Sequence, residues 1–107
     1  MNLFVYGTLK KGHGNHYLIE SCKQITKGYI EGFQMVSAMI PFVWYGNQND
    51  KVYGEVYEVS DFIIKQLDIL EGHPNFYQRT WLENYGFYIY LHDFTKRNLN
   101  LEKILIF

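Results

Sequence analysis

Apolar residues in this chain fall in short runs, separated by glycine and polar turns. Leu3-Phe4-Val5-Tyr6 is the first run. Its length and its aromatic and β-branched content predict a buried strand over residues 3–6. Residues 7–14 carry Gly7, Gly12 and Gly14 and read as a turn region. Asn15 is placed to cap a short helix through Cys22, with Tyr17, Leu18 and Ile19 on its apolar side. Residues 23–32 alternate imperfectly, with Ile25, Tyr29 and Ile30 among Lys and Gln. Gly28 and Gly32 there predict a bulge or a sharp bend.

Phe33 to Ile40 forms another strand pattern, which Pro41 interrupts and Phe42 to Tyr45 continues. Gly46-Asn47-Gln48-Asn49-Asp50 is a turn. Val52 to Val59, rich in Val and Tyr, is the strongest strand pattern, and with Phe42 to Tyr45 it predicts a hairpin. Ser60 or Asp61 then caps one helix, Phe62 to Leu70 or Glu71. Ile63, Ile64, Leu67 and Leu70 recur at helical spacing and are expected to face the core. Gly72 ends this helix and Pro74 follows. Tyr77 to Leu82 and Phe87 to Leu91 read as strands around Asn84-Tyr85-Gly86. The tail, Asn98 to Phe107, fits a helix through Leu101, Ile104 and Leu105, or a terminal strand from Ile104. Many short strands, few helices and glycine bends predict an α+β fold: a small curved mixed sheet or barrel flanked by a few short helices.

At 107 residues, 48% of them apolar, the chain suits one domain with a core of its own. A formal net charge of −1 gives no reason to expect nucleic acid or an anionic membrane as a partner. Neither Lys10-Lys11 nor Lys96-Arg97 makes a basic patch. No apolar run is long enough to span a bilayer, and no charged-then-apolar leader precedes the first strand. Cys22 is the single cysteine and has no internal partner, which suits a cytoplasmic location. Ten Tyr and eight Phe stand beside one alanine, Ala38, a bias expected of an AT-rich genome. Some of those tyrosines, Tyr6 and Tyr77 first, have the amphipathic character of a pocket wall.

Three stretches carry a family resemblance. The first is Leu3-Phe4-Val5-Tyr6-Gly7-Thr8-Leu9, a strand ending in a Tyr-Gly-Thr-Leu loop. The second is Val52-Tyr53-Gly54-Glu55-Val56-Tyr57. The third is Leu67-Asp68-Ile69-Leu70-Glu71-Gly72, followed by Pro74, Tyr77 and Arg79. In this order the set resembles the γ-glutamylcyclotransferase superfamily. Lys10-Lys11-Gly12 with Asn15-His16 is most similar to its γ-glutamylaminecyclotransferase, or AIG2-like, branch. The resemblance implies that Glu71 is the catalytic acid–base, and that Tyr6, Gly7, Thr8, Leu9 and Tyr77 bind substrate. The implied substrate is a small γ-glutamyl amine, such as ε-(γ-glutamyl)-lysine, or a γ-glutamyl amino acid. In the implied reaction the α-amine attacks the γ-carbonyl, releasing 5-oxoproline and a free amine, with no cofactor and no metal.

The residues bear on this independently. Glu71 lies at a helix C-terminus, whose partial negative charge disfavours a carboxylate. Leu70, Phe76 and Tyr77 nearby would add desolvation. Both effects raise a carboxyl pKa towards the range of a neutral-pH acid–base. Position alone leaves a solvated surface residue as the other reading. Gly7 frees the backbone to turn and leaves successive N–H groups for a ligand oxygen. The spacing does not match a phosphate-binding loop. Arg79 reads as a site residue or as an ion-pair partner of Asp68 or Glu83. Asp68, three residues from Glu71, makes a possible carboxylate pair. Glu55 would compete with Glu71 if it faced inward. His13, His16, His73 and His92 lack zinc spacing with Cys22, and Ser21, Ser37 and Ser60 lack a nucleophile elbow. The competing function is a non-catalytic small-ligand or protein-binding member of the same fold. A related lyase acting on another substrate class is a third.

Overall fold

The computed structural model describes residues 1–97 and 101–107. Its strands are β1 (Asn2–Val5), β2 (Lys23–Glu31), β3 (Phe33–Ala38), β4 (Ile40–Tyr45), β5 (Lys51–Glu58), β6 (Gln78–Leu82), β7 (Phe87–Leu91) and β8 (Lys103–Ile104). One α-helix, α1 (Asp61–Glu71), joins β5 to β6. The strands form two open sheets, with orders β2-β5-β1-β7-β6 and β4-β3-β8, so the curved mixed sheet is present and closure into a barrel is not. Among the described residues only β1 and β7 run parallel; every other pairing is antiparallel. No helix among the described residues is long and apolar enough to cross a membrane.

β1 is apolar from Leu3 to Val5 because it serves two cores. Side chains alternate across a strand. Leu3 and Val5 join one buried cluster with Tyr57, Ile64, Leu67 and Tyr90. Phe4 joins the other with Met35, Val43, Val52, Val56 and Ile89. Each such side chain contributes about 1.5–3 kcal/mol by leaving water. Gly54 on β5 lies against the Phe4 ring, and a Cβ there would collide with that ring and with the Val5 carbonyl.

Helix α1 starts where Ser60 caps it: the Ser60 hydroxyl oxygen accepts the Ile63 N–H at 3.2 Å. It stops at Gly72, whose φ of 66° is the left-handed conformation that glycine adopts at least cost. Ile64 and Leu67 are buried as their spacing requires. Leu70 is not a core residue; it is half exposed and borders a cavity.

Several local expectations are corrected. The hairpin between Phe42–Tyr45 and Val52–Val59 does not form. β4 pairs with β3, in register Val36↔Phe42, and β5 lies between β2 and β1. The chain reverses at Met39, which has a φ of 74°, so the run around Pro41 is two strands rather than one interrupted strand. Pro41 is tolerated there because β4 is an edge strand. The helix expected over residues 15–22 reduces to a 3₁₀ turn, His16–Leu18. Its amides bond three residues back, as in Leu18 N–H to Asn15 O and Ile19 N–H to His16 O. Asn15 does not cap it with its side chain. In β2 the register slips between Gln24 and Thr26 rather than at Gly28, while Gly32 makes the bend, at φ 82°. In the tail, Lys103–Ile104 is the strand, and Asn98–Asn100 lie outside the described residues.

Candidate active site

The C-terminal end of β1, the C-terminal end of α1 and the β3–β4 reversal meet around one cavity of about 250 Å³. Tyr6, Gly7, Thr8 and Leu9 line it from the loop after β1. Leu70, Glu71, Phe76 and Tyr77 line it from the helix end and the turn beyond. Ile40 and Pro41 line it from the reversal, and Phe4, Val5, Asn15 and Tyr90 complete the wall. All six residues singled out in the sequence therefore border the same space.

Glycine at position 7 has a steric reason. A Cβ there would lie 2.6 Å from Pro41 Cγ, closer than carbon atoms approach. The loop packs directly on β4 because residue 7 has no side chain. Beyond it the chain is tied repeatedly. Lys10 N–H donates to Gly7 O at 3.1 Å, and Asn15 N–H donates to Thr8 O at 2.9 Å. Asn15 Nδ2 donates to Thr8 Oγ1 at 2.9 Å, which is the use that its side chain finds in place of helix capping. Among the described turn and loop bonds, the amides of Gly7, Thr8 and Leu9 are not donors.

Glu71 is the one charged side chain among the described lining residues. Burial lifts its carboxyl to about 7, because an ionised oxygen pair there lacks the water that would stabilise it. Its main chain is fixed too, since Tyr77 N–H donates to Glu71 O at 3.1 Å. Two of the three pocket tyrosines, Tyr6 and Tyr77, have committed their protons to main-chain oxygens. Tyr6 Oη donates to Tyr90 O at 2.5 Å and Tyr77 Oη donates to Pro41 O at 2.5 Å. Each hydroxyl has only lone pairs left for the cavity. Burial first, then nearby negative charge including that of Glu71, raises both phenols above their usual range, so they remain neutral.

Asp68 does not pair with Glu71. Its two oxygens accept from Arg79 Nε at 2.9 Å and Nη2 at 3.1 Å, and Oδ1 also accepts from Tyr90 Oη at 2.7 Å. Burial alone would raise the Asp68 carboxyl; these hydrogen bonds outweigh it and hold the group below its usual value. Arg79 is thus the ion-pair partner of Asp68, linking α1 to β6. Glu55 accepts from Lys11 N–H at 2.9 Å and Tyr57 Oη at 3.0 Å and is not among the lining residues. Among the described residues, no three His, Cys, Asp or Glu side chains gather as a metal site would need. Ile40, Pro41 and Tyr90 went unmarked in the sequence, and only Pro41, breaking an apolar run, left any local sign.

A sequence family described as gamma-glutamyl cyclotransferase, AIG2-like, matches residues 3–103. A Methanocaldococcus jannaschii protein with a provisional γ-glutamylcyclotransferase name is 42% identical over 79 residues, covering 72% of this chain and 66% of that protein. The γ-glutamylaminecyclotransferase of Rattus norvegicus is 35% identical over 92 residues, covering 77% of this chain and 62% of the rat protein. The chain thus spans less than two thirds of the length of these curated relatives. The crystal structure of a mouse AIG2-like protein superposes with a TM-score of 0.77 at 28% identity, covering 99% of this chain and 86% of that one.

Proposed function

Since the chain belongs to the AIG2-like γ-glutamyl cyclotransferase family, we propose that its cavity cyclises a γ-glutamyl amine or γ-glutamyl amino acid, with Glu71 as the acid–base. The observation that carries this reading is one carboxyl, raised to about 7, sharing a small cavity with a loop of undonated amides.

The ionised Glu71 takes a proton from the substrate α-ammonium. The freed amine attacks the γ-carbonyl carbon and closes a five-membered ring. Negative charge moves to the carbonyl oxygen, where amides of Gly7, Thr8 and Leu9 receive it. Glu71 returns its proton to the departing nitrogen, and the bond from that nitrogen to the carbonyl carbon breaks. The ring nitrogen still carries one proton too many. Glu71 takes that proton and passes it to the released amine, and ends ionised as it began. A carboxyl near 7 suits both directions of transfer at neutral pH. The lone pairs of Tyr6 and Tyr77 accept from the substrate ammonium and hold it against Glu71. The cavity keeps the γ-glutamyl chain folded back, which supplies proximity.

The test is 5-oxoproline release from a panel of γ-glutamyl amines and γ-glutamyl amino acids. Wild type should release it, and Glu71→Gln should lose about 10²- to 10⁴-fold in kcat with its fold intact. Equal rates in the two proteins would remove Glu71 from the mechanism. Binding of panel compounds without release from any of them would leave a ligand-binding protein.

A further inference from the structure

Lys10 is the one buried polar or charged residue among those described, at 4% exposure. An ammonium has three protons to place, and a methionine of similar length would fill the same volume without that demand. What the ammonium adds is a directed link: Lys10 Nζ donates to the main-chain oxygen of Phe107 at 2.5 Å. Burial lowers the Lys10 pKa, while the negative charge of Glu55 acts the other way and favours the cation. Lys10 follows directly on Leu9, the last of the consecutive cavity residues from β1. The turn is therefore held between β1 on one side and the Lys10 anchor on the other.

The segment that supplies Phe107 crosses the molecule in a few residues. Lys103 and Ile104 pair with Val36 and Met35 of the smaller sheet. Lys103 Nζ meets Asp50 Oδ2 at 3.1 Å, on the turn before β5. Leu105 O accepts the Tyr53 N–H of β5 at 2.8 Å. Phe107 then reaches the loop, its ring 5.7 Å from that of His13 and its oxygen on Lys10. One short stretch thus joins both sheets to the loop that borders the cavity.

We propose that residues 103–107 form a strap whose grip on Lys10 keeps Gly7, Thr8 and Leu9 in place, making Lys10 a positioning residue. Its catalytic consequence rests on the reaction proposed above; its structural content does not. The experiment combines amide hydrogen exchange with kinetics on the full chain carrying Lys10→Met, Lys10→Arg or Lys103→Met. In Lys10→Met, the amides of Lys10, His13, Asn15 and Tyr53 should exchange at least about tenfold faster, with β6 and β7 unchanged. Its kcat should fall about tenfold with KM within about twofold, because a displaced oxyanion donor costs chemistry more than binding. Lys10→Arg should recover most of kcat. Lys103→Met, which frees the strap at its half-exposed far anchor, should loosen the same amides by less, and it decides the matter if Lys10→Met does not fold. Unchanged exchange at Tyr53 and the loop in the folded variants would overturn the strap, as would a loosened loop with kcat intact. If wild type releases no 5-oxoproline, the proposed reaction fails alone and the exchange comparison still decides the strap.

Discussion

The two sides of the cavity are built on different principles. On the helix side the group proposed to act is a side chain. Glu71 stands at the end of α1, fixed through Tyr77, while one turn earlier Asp68 binds Arg79 and Tyr90 and locks the helix to β6 and β7. On the loop side the groups proposed to act are main-chain amides, in a turn with contacts through Asn15, Lys10 and Gly7 against Pro41. Deleting a side chain can silence the first side outright. The second can be damaged only by moving it. The same kind of substitution therefore tests different things at the two edges.

The largest expected effect on the loop side comes from Gly7→Ala. The added methyl must displace Pro41 Cγ, which it would otherwise approach to 2.6 Å. A shift of about 1 Å in catalytic donors costs about 10²-fold in rate, and that is the loss expected in kcat. Pro41→Ala removes the obstructing ring carbons and keeps the carbonyl that Tyr77 Oη uses. Gly7→Ala with Pro41→Ala should therefore recover much of the lost rate. A double variant no better than Gly7→Ala alone would mean that the glycine is needed for something besides this fit.

That fit also shows where sequence reading stopped. The strand at 3–6, the helix ending at Glu71-Gly72 and the two strands around Asn84-Tyr85-Gly86 were legible, because each depends on residues close in the chain. So was the carboxyl's raised pKa, argued from the helix C-terminus and from apolar neighbours and traced in the structure to burial alone. The other wall of the cavity was not legible. Apolar alternation tells which face of a strand is buried but not which edge it pairs with. Phe42–Tyr45 was accordingly assigned to β5, and Pro41 lost its place beside Gly7. Asn15 failed for a different reason. Its local preference for capping was real, but the Thr8 hydroxyl took its side chain instead. The Leu70 spacing fitted a buried stripe, and the residue serves the cavity rim.

The helix side should show a pH signature in stability. Burial raises Glu71 from the usual carboxyl value of 4.5 to about 7, so between those limits the folded chain holds a proton that the unfolded chain has lost. The native state then binds more protons, and its stability falls as pH rises through that window. At 1.36 kcal/mol per pH unit the full cost is about 3 kcal/mol, and partial hydration of the group reduces it to about 2 kcal/mol. Glu71→Gln has no such proton to lose. Chemical denaturation from pH 4.5 to 8 should show the variant gaining on wild type as pH rises, by about 2 kcal/mol over the range. A parallel pair of curves would place the carboxyl in water and remove the reason for proposing it as the acid–base.

The smallest effect is expected at Thr8, and its smallness is the informative part. If the loop acts through its backbone, replacing the Thr8 hydroxyl should leave its amide where it is. Thr8→Val preserves shape and β-branching and removes one acceptor, the oxygen that Asn15 Nδ2 donates to. Such a bond contributes about 0.5–1.5 kcal/mol net, so stability should fall by no more than that. The kcat for 5-oxoproline release should stay within about threefold, because Asn15 N–H still donates to Thr8 O and the turn keeps its main-chain tie. The contrast with Gly7→Ala separates the two ways in which a loop can work. There a methyl that touches no reacting atom is expected to cost about 10²-fold by displacement; here a polar group at the cavity wall is expected to cost almost nothing. A large loss of kcat in Thr8→Val, with wild-type stability, would make the hydroxyl a reacting or substrate-binding group. The two sides of the cavity would then differ less than their construction implies.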